Sequence, residues 1–233
     1  MYGNQKGGVG KSTLTALTAN ALAAAPFGLA VSVLDVDNQQ SLIKRRLLDL
    51  QGYEQATPYK VEAKTLADFQ RDVLELDKAQ DVILVDAPGK LDADLPASEQ
   101  QIIKLLQYID VLFIPFVPGN YSLDASLSFL KAALRVKAAR ANDARPLAVI
   151  GTINMFEGSR TTDDKFLLEE LAELRSLVNI PFVATELNRY ALFRNVDTLE
   201  SFYQPGSADK AKQNFCTWLN EIAELLQLTK PQT

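Results

Sequence analysis

The sequence predicts an α/β fold: a doubly wound, mostly parallel sheet with helices on both faces. Two observations predict it. Apolar, β-rich runs alternate with longer helical patterns from one end of the chain to the other, the signature of strand–helix–strand units. Several of the strand runs are nearly continuous hydrophobic stretches, as expected where helices cover both faces of a parallel sheet. With 233 residues and no internal repeat, low-complexity tract or long linker, one domain spanning 1–233 is expected.

The elements follow in order. A helix is expected over Lys11 to Ala24, then a strand over Leu29 to Leu34. Gln51 to Lys60 reads as a loop leading to a short edge element, before a helix over Thr65 to Leu76 and a strand over Asp81 to Val85. The second half continues with a helix over Ser98 to Tyr108, a strand over Val111 to Val117 and a helix over Leu123 to Ala141. A strand over Leu147 to Ile153, a helix over Asp163 to Leu177, a shorter strand near Phe182-Val183 and a last helix over Ala208 to Leu226 complete the pattern. A central strand belongs before the glycine-rich loop, yet only Met1-Tyr2-Gly3 precede Asn4. Of a very short strand and a chain missing native residues at its front, truncation is the expectation.

Composition narrows the chemistry. The chain has no histidine and one cysteine, Cys216. Within one chain that excludes a Cys/His metal site, a Ser-His-Asp triad, a disulfide framework and a histidine acid–base pair. What chemistry occurs must use carboxylates, lysines, arginines, hydroxyls and backbone amides. The net charge of -5 gives no global attraction to DNA or an anionic membrane, so either would need a local basic patch. No apolar run approaches the ~20 residues that span a bilayer. The first six residues lack the hydrophobic stretch of a signal peptide, so a cytoplasmic protein is expected.

The run Gly3-Asn4-Gln5-Lys6-Gly7-Gly8-Val9-Gly10-Lys11-Ser12-Thr13 is the most informative in the chain. Gly10-Lys11-Ser12 matches the end of the phosphate-loop pattern G-x-x-x-x-G-K-[ST], but the pattern's first glycine would fall at Gln5. Paired glycines at 7 and 8 and an extra lysine at 6 stand in its place. Glycines let consecutive amides converge on phosphate oxygens, and the helix that begins near Lys11 adds the positive end of its dipole. Lys11 would neutralise the β- and γ-phosphates, and the Ser12 hydroxyl would ligate Mg²⁺. A flexible glycine turn would explain the glycines, but not the Lys-Ser pair, the second lysine or the carboxylates downstream. Two strand ends supply those carboxylates. Asp35 and Asp37 close the run Val31 to Asp37 and share a face by the two-residue period, while Asp86 closes Val82-Ile83-Leu84-Val85. An acid after four apolar residues is costly to bury unpaired, so a metal or its water is the natural partner.

These motifs together resemble the ParA/MinD ATPase superfamily. Lys6-Gly7-Gly8-Val9-Gly10-Lys11-Ser12 looks like its deviant Walker A motif. Asp35-Val36-Asp37-Asn38-Gln39-Gln40-Ser41 resembles its first switch, with Asn38 where the family has proline, and Asp86-Ala87-Pro88-Gly89 resembles its second. Phe113-Ile114-Pro115-Phe116-Val117-Pro118 followed by Ser122-Leu123-Asp124 is similar to the strand after it. The likeness runs over nearly the whole chain and is greatest to small, ParF-type partition proteins. It implies a P-loop NTPase fold binding Mg·ATP through Lys6, Gly7, Gly8, Val9, Gly10, Lys11, Ser12 and Thr13. Two subunits would close face to face around two nucleotides, with Lys6 reaching the partner's phosphates. Asp37 would position the attacking water, Asp35 and Asp86 would hold Mg²⁺ directly or through water, and Asn154 and Asn188 would read adenine.

The resemblance also implies an ATP-driven homodimer that binds nucleoid DNA without sequence preference and is stimulated by a ParB-type partner. Lys131 and Arg135 on one helix, and Arg189 and Arg194 in a looser group, are the candidate phosphate contacts. The last helix carries Phe215, Trp218, Leu219, Ile222, Leu225 and Leu226 as a stripe, with Glu221 and Glu224 on its exposed side. A membrane anchor would place lysines there, so core packing is expected, and Cys216 reads as a small buried residue. The resulting expectation is a DNA-partition ATPase. Its alternatives are positioning of a protein assembly, a metabolic P-loop kinase or synthetase, and a regulatory ATP-binding module with negligible turnover.

Overall fold

The computed structural model describes residues 1–88, 103–158 and 161–228. Two compact units are present: Met1–Tyr2 with Lys11–Pro88 and Ala191–Thr233, and Gly3–Gly10 with Gly89–Tyr190. Every strand pairing among the described residues is parallel.

In the first unit β1 (Val31–Asp35) lies between β2 (Lys60–Ala63) and β3 (Val82–Asp86). All five residues of β1 are buried, including Ser32 and Asp35 within its otherwise apolar run. The register pairs Val31 with Val82 at one end and Asp35 with Asp86 at the other. Tyr2 adds an isolated parallel bridge to Asp86. Helix α1 (Lys11–Ala23) is buried almost all round, which its run of leucine, alanine and threonine permits. The polar side chain of Asn20 enters that interior fully bonded: it donates to the carbonyls of Asp197 and Glu200 and accepts from the Tyr59 hydroxyl. Helix α3 (Leu66–Ala79) starts at Thr65, whose hydroxyl accepts from the Asp68 amide.

One helix in this unit was not expected. Helix α2 (Ser41–Asp49) follows Gln40, which has a left-handed φ of 51° and offers no side-chain cap. The cap comes from a distance, as the site shows below. Arg46 of α2 is buried with its guanidinium 4.4 Å over the Tyr59 ring. The edge element expected after residue 60 is β2.

The second unit holds β4 (Val111–Phe116), β5 (Ala148–Phe156) and β6 (Leu187–Asn188) in the order β4-β5-β6. Helix α4 (Asn120–Ala139) ends at Arg140, which is buried and donates to the carbonyls of Leu106, Ile109 and Arg145. Helix α5 (Thr162–Leu177) opens with a capping box between Thr161 and Asp164. The strand expected near Phe182-Val183 is a single bridge from Phe182 to Gly151 instead, and the third strand forms later, at Leu187. The Phe182 ring occupies the space a Cβ on Gly151 would need, which holds this segment against β5 without an extended ladder. The helix expected over Ser98 to Tyr108 is helical at 103–106, and its beginning lies outside the described residues.

The last helix, α6 (Lys210–Leu225), belongs to the first unit and is capped by Asp209, whose carboxylate accepts from the amides of Ala211 and Lys212. Most of its stripe packs inward: Phe215, Trp218, Leu219 and Ile222 are fully buried, Cys216 is buried beside them, and Tyr2 stacks on Trp218. At the helix end Leu225 is exposed and Leu226 half-buried, against the expectation of core packing there. No helix among the described residues is long and apolar enough to cross a membrane.

Candidate nucleotide and metal site

The glycine-rich loop belongs to the second unit up to Gly10. Its entry is fixed by Gly3, whose amide donates to the Phe113 carbonyl, and by the buried side chain of Asn4. Gly8 and Gly10 have φ of 78° and 89°, which residues with a Cβ rarely adopt. A Cβ added at Gly7 or Gly8 would meet no atom within 4 Å, so the loop's outer face is open where its amides can receive phosphate oxygens. Gly10 is different. A Cβ there would stand 2.5 Å from the amide nitrogen of Asn154, which donates to the Val9 carbonyl at 2.9 Å. Asn154 therefore supports the loop from the end of β5. The neighbouring Met155 has a positive φ of 57°, and the β5–β6 register shifts between Asn154 and Phe156. Such irregularities re-aim a strand end, here at the loop.

From Lys11 onward the chain is in the first unit. The N-terminus of α1 carries Lys11 and Ser12. Lys11 is buried, and burial lowers its ammonium below the usual range, opposed by the carboxylates of Asp86 and Asp37. Asp35 and Asp86, side by side at the ends of β1 and β3, have different surroundings. Asp35 is buried, and its Oδ2 accepts from the amides of Leu42 and Ile43 at 3.0 and 3.1 Å, while Oδ1 accepts from the Asp37 amide. This is the missing cap of α2, supplied from a neighbouring strand. Burial still raises the Asp35 carboxyl, although those three amides favour its ionised form.

Asp86 is fully buried, and neither of its carboxylate oxygens receives a regular hydrogen bond among the described residues. Ser12 approaches closely enough to favour the ionised form, as does Lys11, but burial dominates and the Asp35 and Asp37 charges add to it. The carboxyl is pushed up to about 7. Asp37 is half-buried, and its Oδ1 accepts from the Gln39 amide. The orphaned Asp86 oxygens, with the Ser12 hydroxyl and Lys11 nearby, fit a divalent cation that carries phosphate oxygens as its other ligands. No group of three or more acidic or cysteine side chains that could hold a metal by itself occurs among the described residues.

The remaining candidates are dispersed. Thr13 is half-buried on α1, and Lys6 is half-buried in the loop. Asn188 lies in β6 opposite Phe156. Lys131 and Arg135 are exposed on α4, and Arg194 is exposed on the 3-10 turn Ala191–Asn195. Arg189 is exposed and paired with Glu157 at 3.2 Å. Sequence reasoning missed Asn4 and the capping role of Asp35. An asparagine two residues before a lysine in a glycine-rich loop is a local turn signal; a cap reaching from a neighbouring strand has none.

A family model described as the CobQ/CobB/MinD/ParA nucleotide binding domain matches residues 1–191. No curated protein matches the chain. Among solved structures, a Cyanothece McdA–ATP complex is 15% identical at a TM-score of 0.70, over 100% of this chain and 97% of that one. Cobyrinic acid a,c-diamide synthase from Mycobacterium smegmatis, with bound ATP analog and magnesium, is 17% identical at a TM-score of 0.63, over 99% and 95%. A putative plasmid partition protein from Borrelia burgdorferi bound to AMPPNP is 16% identical at a TM-score of 0.58, over 96% and 97%. At these identities the likeness is one of fold.

Proposed function

The chain belongs to the CobQ/CobB/MinD/ParA nucleotide-binding family, and from that premise we propose that it is a Mg·ATP-dependent partition ATPase. In this reading it dimerises on ATP, binds DNA non-specifically through that dimer and is stimulated by a ParB-type partner to segregate plasmid or chromosomal DNA. The observation that carries the nucleotide chemistry is Asp86: a fully buried carboxylate with no regular hydrogen bond among the described residues, placed at a strand end with Lys11 and Ser12 close by.

The loop amides from Lys6 to Thr13 bind the phosphate chain, and Lys11 offsets its charge. Asp86 and Ser12 hold Mg²⁺, with Asp35 acting through water or through α2. A Mg²⁺ ion held there would supply neutralisation of the phosphate oxygens and so a more electrophilic γ-phosphorus. Asp37, half-buried two residues beyond the end of β1, orients the attacking water. Lys6 stabilises charge on the nucleotide of the partner subunit. Asn188 is assigned to adenine, whereas Asn154 is engaged by the loop itself. Lys131, Arg135, Arg189 and Arg194 supply DNA phosphate contacts.

The test is ATP hydrolysis and ATP-driven dimerisation of the purified chain with Mg²⁺, beside Lys6→Ala. Loss of both in the variant supports the partition class. Turnover that is indifferent to Lys6 but needs a small-molecule acceptor would point instead to a kinase or synthetase.

A further inference from the structure

Asn4 lies just ahead of the glycines and binds no phosphate in the reading above. It is nevertheless among the most constrained polar side chains in the second unit. It is 1% exposed. Its Oδ1 accepts the Lys6 amide at 3.0 Å, while its Nδ2 donates to the Pro115 carbonyl at 2.9 Å and to the Ser126 hydroxyl at 2.7 Å. Both amide protons and the carbonyl are therefore used, and no other orientation of the group would satisfy all three partners. Pro115 is in β4, and the fully buried Ser126 is in α4. The Gly3 amide, bonded to the Phe113 carbonyl, fixes the backbone on the other side.

We propose that Asn4 is the positioning residue for Lys6, tying that lysine's backbone through one side-chain amide to the end of β4 and to α4. The proposal rests on the reading in which Lys6 acts on the partner's nucleotide. A lysine side chain has long reach and many rotamers, so its useful population depends on where its Cα is held. Lys6 sits between a glutamine and two glycines, and the glycines offer little restraint of their own. The Asn4 carbonyl supplies it. Because α4 also carries Lys131 and Arg135, the same amide joins the loop to the helix bearing the exposed basic residues.

A merely structural asparagine would affect folding and every activity alike. A positioning residue acts through Lys6, so the two substitutions must not multiply. The experiment compares the wild type, Asn4→Ala, Lys6→Ala and the double variant in the full chain. ATP affinity and turnover are measured separately, and amide hydrogen exchange is measured at Lys6. Asn4→Ala is expected to speed exchange at the Lys6 amide roughly tenfold. It should lower turnover roughly a hundredfold, the scale of a small misplacement of a reacting group, with ATP affinity within about threefold. In the Lys6→Ala background it should lower turnover no further. Ser126→Ala, which removes one anchor only, should show the same pattern with smaller changes, and it serves if Asn4→Ala does not fold.

Unchanged exchange at Lys6, or turnover losses that multiply in the double variant, would overturn the proposal. A wild-type chain that hydrolyses no ATP, or a Lys6→Ala variant with normal turnover, would remove the function assigned to Lys6. Exchange at the Lys6 amide would then still decide whether Asn4 holds it.

Discussion

Asp35 and Asp86 are register partners at the ends of adjacent parallel strands, yet among the described residues every regular hydrogen bond to their carboxylates goes to one of them. The Asp35 carboxylate accepts three backbone amides, and the Asp86 carboxylate accepts none in regular geometry among the described residues. One is built into the fold; the other is left for a ligand. Asp35→Ala is therefore expected to cost about 1–3 kcal/mol, the worth of charged hydrogen bonds lost from a helix start. Amide exchange should rise first at Leu42 and Ile43. Asp86→Asn should leave the metal-free chain at least as stable as the wild type, because an orphaned charge has gone, while abolishing stabilisation by Mg²⁺ with nucleotide. Thermal unfolding in chelator and in Mg·ATP measures both; a chelated Asp86→Asn chain as unstable as Asp35→Ala would contradict the division of roles.

The pH dependence follows with its sign. The folded Asp86 carboxyl titrates at about 7 against a usual 3.8, so the folded state binds this proton more tightly than the unfolded state does. Without metal, its contribution to stability is fully present below about pH 4 and is lost as pH rises to about 7, with a total on the order of 4 kcal/mol. Asp35, also raised, acts in the same direction. A cation needs the ionised form, so Mg²⁺ affinity should rise over the same interval and binding should release a proton. Calorimetry of Mg·nucleotide binding near pH 6.5 in two buffers of different ionisation enthalpy reads that proton directly. No proton release would place the metal elsewhere.

Gly10 is constrained twice, by a φ of 89° and by the Asn154 amide 2.5 Å from where its Cβ would be. Gly10→Ala should cost about 1–3 kcal/mol of backbone strain and should abolish ATP binding, since the loop must move. Asn154→Ala removes the collision but not the φ requirement. The double variant should therefore recover only part of the loss in an ATP titration. Full recovery would mean that the loop's φ at this position is not needed.

Much of this site is legible in the sequence because it is local. Lys11 and Ser12 are placed by a glycine turn running into a helix, and Asp86 by the four consecutive apolar residues that form β3 ahead of it. The strand–helix alternation likewise gives β1, β3, β4 and β5 to within a few residues. What escapes is whatever depends on register between distant segments. α2 lacks a local cap because Asp35 caps it from β1, and the Asn154 amide donates to the Val9 carbonyl across more than half the chain. The segment at Phe182 has strand composition but meets β5 at one glycine only, so its ladder never forms.

The proposed DNA contacts differ in availability. Lys131, Arg135 and Arg194 form no ion pair among the described residues, whereas Arg189 is held by Glu157. Exposed pairs of this kind are worth at most about 1 kcal/mol, little enough for a phosphate to compete. Each phosphate contact contributes about 0.9 to the slope of log affinity against log salt. Arg135→Ala removes one contact per subunit, so a dimer should lose about 2 from the slope on random-sequence DNA, with weakening that is the same for any sequence. Glu157→Gln frees Arg189 and should strengthen binding at low salt, while Arg189→Ala should weaken it less than Arg135→Ala does. Anisotropy titrations with ATP at three salt concentrations make the comparison. An unchanged slope in Arg135→Ala removes α4 from the DNA surface, and equal losses for Arg189 and Arg135 would show that the Glu157 pair does not compete.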